Sequence, residues 1–159
     1  MTAVALELFT PEWAEAARRA VNRGPSEALR AKKIDKYWAW IDEAKPRIDA
    51  VWGLAARDLH GRPNCLLLHI ESGVATRAEL VGLDEGRERA TFLMVGDLSG
   101  WADFVAGYDV GKSIMYRRLV LEKGNILAFF RSVYVWTESL AAIQELRGHL
   151  PGPSAPLAA

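Results

Sequence analysis

Of the 159 residues only one is cysteine (Cys65) and three are histidine, and neither charge is in excess, with 20 Lys plus Arg against 20 Asp plus Glu. The sequence holds no apolar run near the ~20 residues that a membrane-spanning helix needs, so stable membrane insertion is not expected. A lone cysteine excludes an internal disulfide and fits a reducing compartment, which makes the cytoplasm the expected location. Cys65 stands in the apolar run Cys65 to Leu68, where a thiol acts as a small hydrophobe rather than a nucleophile. Charge balance argues against a nucleic-acid partner, because phosphate binding needs a clustered basic excess. The one basic run, Arg30, Lys32, Lys33 and Lys36, sits among Asp35, Asp42 and Glu43 and reads as a solvated helix face. The opening residues lack the basic and apolar parts of a secretory leader.

Chemistry-bearing motifs are also scarce. His60, His69 and His149 are far apart and form no ligand-spaced pair, so no metal site is expected. GxSxG, the P-loop and GxGxxG are missing. Asp58, Asp84, Glu85, Asp97, Asp103 and Asp109 fall at turns or helix starts, where capping and solvation account for them. No catalytic residue and no cofactor is assigned. The nearest approach to a catalytic set is His69, Arg77 and Glu79, which alternation on neighbouring strands brings to one face.

Half of the residues are hydrophobic and a quarter charged, an ordinary globular composition at a length that suits one core. Residues 1–150 are expected to form a single domain with an N-terminal helical extension, and 151–159, rich in Pro and Ala, a flexible tail. Thr10, Pro11 and Glu12 supply an N-cap, a preset φ and a first-turn anion. Trp13, Ala16, Ala17, Ala20 and Val21 then recur at helical spacing until Gly24 and Pro25. Ser26 caps a second predicted helix down to Ala44, which Pro46 stops. Trp38 and Trp40 in it cannot share a face, so Trp38 is assigned to the core and Trp40 to the surface, a ligand or a partner.

From Ile48 to Leu59 strand and helix signals compete, and residues 60–64 make a turn. Residues 65–71 and 74–81 read as a hairpin joined by Ser72 and Gly73, with Val74, Thr76, Ala78 and Leu80 on one face of its second arm. Residues 82–89 are charged and turn-like. Ala90 to Gly96 is a short apolar run, expected to be a strand buried on both faces. Trp101, Phe104 and Val105 mark one face of a short helix stopped by Gly107, and Ile114 and Met115 belong to a second. Residues 118–123 form a strand that Gly124 and Asn125 close. Ile126 to Leu146 gives the strongest helical pattern, apolar over more than one stripe and so expected between a sheet and something else.

Together, the hairpin LLLHIESGVATRAELV, the strand ATFLMVG, Trp101, Phe104, Gly107 and Asp109, the apolar Ile114–Met115 segment, the strand LVLEKGN and the helix after it resemble the sterol carrier protein, or nonspecific lipid-transfer, domain family. The opening FTPEWAEAARRAVN is similar to the first helix of bacterial stand-alone members. The resemblance implies an α+β fold: a twisted, five-stranded, mostly antiparallel sheet covered on one face by helices, with an apolar cavity between. It supports a strand within residues 48–59. Two features depart from the family pattern: Arg117 and Arg118 stand where a glycine usually precedes the last strand, and residues 30–45 add helix.

The function expected is non-enzymatic binding or transfer of a hydrophobic small molecule, such as a fatty acid, acyl chain or sterol. Trp101, Phe104, Val105, Ile114, Met115, Phe130 and Tyr134 are assigned to the cavity lining, and Arg117, Arg118 or Lys112 to a carboxylate or phosphate head group at its mouth. Two alternatives stand beside it: an accessory or scaffold subunit that forms a homodimer or partners an enzyme, and a small enzyme acting on a hydrophobic substrate.

Overall fold

The computed structural model describes residues 6–151, so the expected tail lies almost wholly outside the described residues. Three helices, α1 (Pro11–Arg23), α2 (Glu27–Arg30) and α3 (Asp35–Ala44), lead through a 3-10 turn at Lys45–Arg47 into β1 (Ala50–Ala56). The hairpin β2 (Cys65–Glu71) and β3 (Val74–Val81) is followed by α4 (Leu83–Arg89) and β4 (Phe92–Gly96). The chain ends with α5 (Leu98–Val105), α6 (Val110–Met115), β5 (Val120–Lys123), α7 (Ile126–Arg131) and α8 (Val133–Gln144).

The strands form one sheet in the order β3-β2-β1-β4-β5. Every neighbouring pair is antiparallel except the central β1–β4 pair, in which Trp52 stands beside Phe92 and Ala56 beside Gly96. Strand alternation sorts the apolar residues to two faces. Trp52, Leu54, Leu66, Leu68, Ile70, Phe92 and Met94 join the main core with α1, α5 and α8. Ala55, Cys65, Leu67, Leu93 and Val95 form a smaller core on the other face.

The capping signals are used as read. Thr10 Oγ1 accepts from the Trp13 amide at 3.3 Å, and Gly24 ends α1 at φ +79°. Its buried stripe is mostly alanine, Ala14, Ala17 and Ala20 beside Trp13 and Val21, which lets the helix lie close to β3. There Asn22 donates to the Ala75 carbonyl at 2.9 Å and accepts from the Ala75 amide at 2.8 Å. A side-chain amide thus completes the open edge of β3.

Several elements differ from the sequence reading. Residues 83–89 are a helix, held by Asp84–Arg87 and Glu85–Arg89 ion pairs at 2.9 and 2.6 Å, and it packs on the smaller core. Gly86 permits that contact, since a Cβ there would stand 2.5 Å from Cys65 Sγ. The predicted second helix is two, because residues 31–34 form a turn between α2 and α3. Alternation on β3 slips at a bulge opposite His69 and Ile70, so Ala75 faces the main core with Ala78 and Leu80, while Val74 and Thr76 are exposed. The last strand starts at Val120 rather than Arg118. The long C-terminal helix breaks at Ser132, whose φ of −114° and ψ of 26° lie off the helical values. Beyond α8, the His149 amide donates to the Leu6 carbonyl and its carbonyl accepts from the Leu8 amide, which ties the segment after α8 to the segment before α1.

Candidate functional site

Between the sheet and the helices the interior is filled by Trp13, Trp52, Trp101, Trp136, Phe9, Phe104 and Phe129, all fully buried. The Trp101 indole donates to the Ala55 carbonyl at 2.9 Å. Open space lies instead at the end of the β1–β4 pair where β1 and β4 begin. There Ile48, Asp49 and Phe92 meet the end of α3 and the α7–α8 corner to enclose a groove of about 500 Å³.

Phe92, Trp136, Ile48, Ala44 and Ala128 give the groove apolar walls, Trp40 forms one side, and Glu43, Arg47, Asp49 and Arg131 stand at its rim. Trp136 touches Trp52 and Phe92 at centroid distances of 5.0 and 5.6 Å. Although buried, the indole N–H groups of Trp52 and Trp136 have no partner among the described residues. An orphaned buried donor costs ~1–3 kcal/mol. Arg131 has no acidic partner among the described residues, whereas Arg47 pairs loosely with Glu43 at 3.6 Å.

The α7 helix is built for exposure on one side. Asn125 caps it by accepting from the Ala128 amide at 2.9 Å, and Phe129 alone is buried. Ile126, Leu127 and Phe130 are 60%, 75% and 47% exposed. Tyr134, on the first turn of α8, stacks edge-on against Tyr37 and Trp40 at 5.4 and 5.5 Å. Trp40 therefore links the exposed aromatic surface to the groove, while Trp38 is buried with its indole donating to the Arg30 carbonyl at 2.8 Å.

The residues assigned from sequence are distributed over three places. Trp101 and Phe104 are sealed in the core, and Val105 and Ile114 pack against it. Phe130 and Tyr134 lie on the exposed surface beside the groove. Met115, Arg117 and Arg118 are at the far end of the β1–β4 pair, where a second, polar cleft of about 440 Å³ is lined by Arg57, Gly96, Asp97, Ser99, Tyr108, Tyr116 and the two arginines. The arginines expected at the mouth of the apolar space thus line a polar cleft at the opposite end of the β1–β4 pair from the groove. Sequence reasoning missed Ile48, Phe92, Trp136 and Arg57. Only strand register brings Ile48 near Phe92, and no local signal marks Arg57.

His69, Arg77 and Glu79 do meet. His69 Nε2 lies 2.5 Å from Glu79 Oε2, and Arg77 and Arg89 pair with the same carboxylate at 3.3 and 2.5 Å. Two guanidinium groups and a ring nitrogen thus share one carboxylate, which occupies its lone pairs and leaves it poorly placed as a base. Among the described residues, no group of three or more His, Cys, Asp or Glu could hold a metal ion, and no helix is long and apolar enough to cross a membrane.

Neither a protein-family model nor a curated protein sequence matches the chain. Solved structures do. One, described as the crystal structure of sterol carrier protein 2, superposes with a TM-score of 0.65 at 26% identity, over 87% of this chain and 98% of that one. Another, the solution structure of a conserved hypothetical protein from Thermus thermophilus described as possibly sterol carrier protein, gives a TM-score of 0.64 at 24% identity over 96% of each chain.

Proposed function

We propose, from the sterol-carrier-type α+β fold that this chain shares with those structures, that it binds and carries a hydrophobic small molecule such as a fatty acyl chain or related lipid. The observation that carries this reading is the groove floored by Phe92 and Trp136 and continued by Trp40 onto the exposed α7 surface. The apolar part of the ligand lies on Phe92, Ile48 and Ala128. Each Å² so removed from water contributes about 25 cal/mol before the cost of immobilising the ligand. Arg131 or Arg47 neutralises an acidic end. Of the residues assigned from sequence, Phe130 and Tyr134 contact the ligand as it enters, and Val105 and Ile114 support the core behind it. We place the protein in a reducing compartment, the cytoplasm, because its cysteine is unpaired.

The test is titration of delipidated protein with a fluorescent fatty acid, with native mass spectrometry to detect co-purified lipid. Trp40→Ala is expected to weaken binding about tenfold while leaving the fold intact. Arg131→Gln is expected to weaken binding of a fatty acid more than binding of the parent hydrocarbon. Protein that carries no lipid and fails to bind the probe, or Trp40→Ala binding as wild type does, would overturn the proposal.

A second reading is favoured by the exposure of Ile126, Leu127 and Phe130: the same stripe pairs with a second copy or with an enzyme that receives the ligand. Light scattering on wild type and Leu127→Glu checks the self-pairing. A mass that is monomeric in both dismisses it.

A further inference from the structure

At the opposite end of the β1–β4 pair from the groove, the polar cleft has a distinct character. Arg57 follows β1, with its amide donating to the Gly96 carbonyl at 2.8 Å. Arg117 and Arg118 come from the loop between α6 and β5, which is fixed on several sides. The Arg118 and Leu119 amides donate to the Ser113 carbonyl at 2.8 and 3.0 Å, the Arg117 amide donates to Ile114 at 3.2 Å, and Leu119 is buried. On the sheet side the loop rests on two glycines: a Cβ at Gly96 or Gly100 would stand 2.8 or 2.9 Å from the Arg118 carbonyl oxygen.

Within that fixed loop Arg117 holds φ at +61°, a left-handed conformation that glycine adopts at less cost. Strained non-glycine residues of this kind persist where the surroundings over-determine them, and they cluster at binding sites. The loop turns both arginine side chains outward, since each residue is exposed while the next, Leu119, is buried.

Charge in the cleft is lopsided. Among the described residues Arg57 and Arg117 have no acidic partner within salt-bridge distance, and Arg118 pairs with Asp103 at 3.2 Å. Asp97, the one carboxylate of the lining, accepts from Ser99 Oγ at 2.6 Å and from the Gly100 amide at 2.9 Å. Asp58 takes the Leu98 amide at 2.7 Å, so the start of α5 is already capped and the guanidinium groups are the donors left over. Tyr108 and Tyr116 add hydroxyls and ring faces, with Arg118 Cζ 6.0 Å above the Tyr108 ring.

We propose that this cleft binds a phosphate-bearing ligand through Arg57, Arg117 and Arg118. Guanidinium forks match phosphoryl oxygens two at a time, and a cleft of about 440 Å³ has room for a phosphate ester or diphosphate with a small substituent. The site is independent of the apolar groove, because the two share no lining residue. Its phosphate comes either from a soluble molecule or from a lipid head group at a membrane surface, where the exposed Met115 and Tyr116 would sit beside it.

Calorimetric titration of the full chain with inorganic pyrophosphate, alongside co-sedimentation with phosphatidylcholine vesicles containing phosphatidic acid, tests both sources. We expect saturable one-to-one binding that weakens with added salt and falls about tenfold or more in Arg57→Gln and in Arg117→Gly. Arg117→Gly relieves the left-handed strain, so its thermal midpoint is unchanged or higher, and lost binding cannot be blamed on lost folding. Pyrophosphate binding identifies a soluble ligand; retention on phosphatidate vesicles alone, abolished by Arg57→Gln, identifies a lipid head group. No saturable binding in either arm, or binding that survives in the double variant, overturns the proposal. Fatty-acid binding is unaffected by these variants, so the outcome is separate from that of the groove.

Discussion

The rings of Phe129 and Trp136 lie parallel, 3° apart in plane and 5.7 Å between centroids, across the break at Ser132. One ring belongs to α7 and the other to α8, so this contact is what fastens the exposed helix to the core. Phe129 also meets Phe92 edge-on at 5.6 Å. Replacing it with alanine is expected to cost about 3–5 kcal/mol, read as a lower urea midpoint. A loss below about 1 kcal/mol would show that α7 is held by something else.

Gly96→Ala sets a Cβ 2.8 Å from the Arg118 carbonyl oxygen, and a backbone atom cannot swing aside as a side chain can. We expect a loss of about 1–3 kcal/mol, with the damage at the start of β5. Hydrogen exchange at Val120 and Leu121 reads it directly: faster exchange there than in β2 is the expected pattern.

Burial, with a smaller contribution from the Glu85 carboxylate, pushes the Cys65 thiol up to about 12. The thiolate is the reactive species, so labelling by a thiol reagent at about pH 8 is expected to be slow in native protein and fast in urea. Rapid native labelling would mean that α4 opens readily from the smaller core.

Glu79 gives a pH dependence. Its partial burial favours the neutral acid, but hydrogen bonds from His69 and Arg89 and the charges of Arg89 and Arg77 outweigh that and hold the carboxyl below its usual range. A carboxyl depressed by folding stabilises above its unfolded pKa of about 4.3 and loses that contribution as pH falls through the folded value. The stability gap between wild type and Glu79→Gln is therefore expected to be full near neutrality and to shrink below about pH 4. A gap independent of pH would assign the effect to packing.

What could be read in the sequence was local. Thr10–Pro11–Glu12 announced α1, Ser72–Gly73 announced the hairpin, and the run before Gly96 announced a strand buried on both faces, because caps, turns and short apolar runs act over a few residues. The helix α4 was hidden because Gly86 looks like a breaker until Cys65 is placed against it. The groove was hidden for a similar reason: Ile48, Phe92 and Trp136 become neighbours only through strand register and a helix break. Trp40 was the exception, since its spacing from Trp38 marked one of the pair as exposed.

The parallel pairing of β1 with β4 also sets an order of events in folding. Trp52 can meet Phe92 only after the chain between them has been looped out, whereas β2 and β3 need only close a two-residue turn. Contacts distant in the chain are slow to form. In pulse-labelled refolding the β2–β3 amides are accordingly expected to gain protection before those of β4 and β5. Apart from Phe92 at the start of β4, the groove takes its walls from segments before β1 and after β5. A chain still refolding, or cut short of α7, therefore has a sheet to stand on before it has anywhere to hold a ligand.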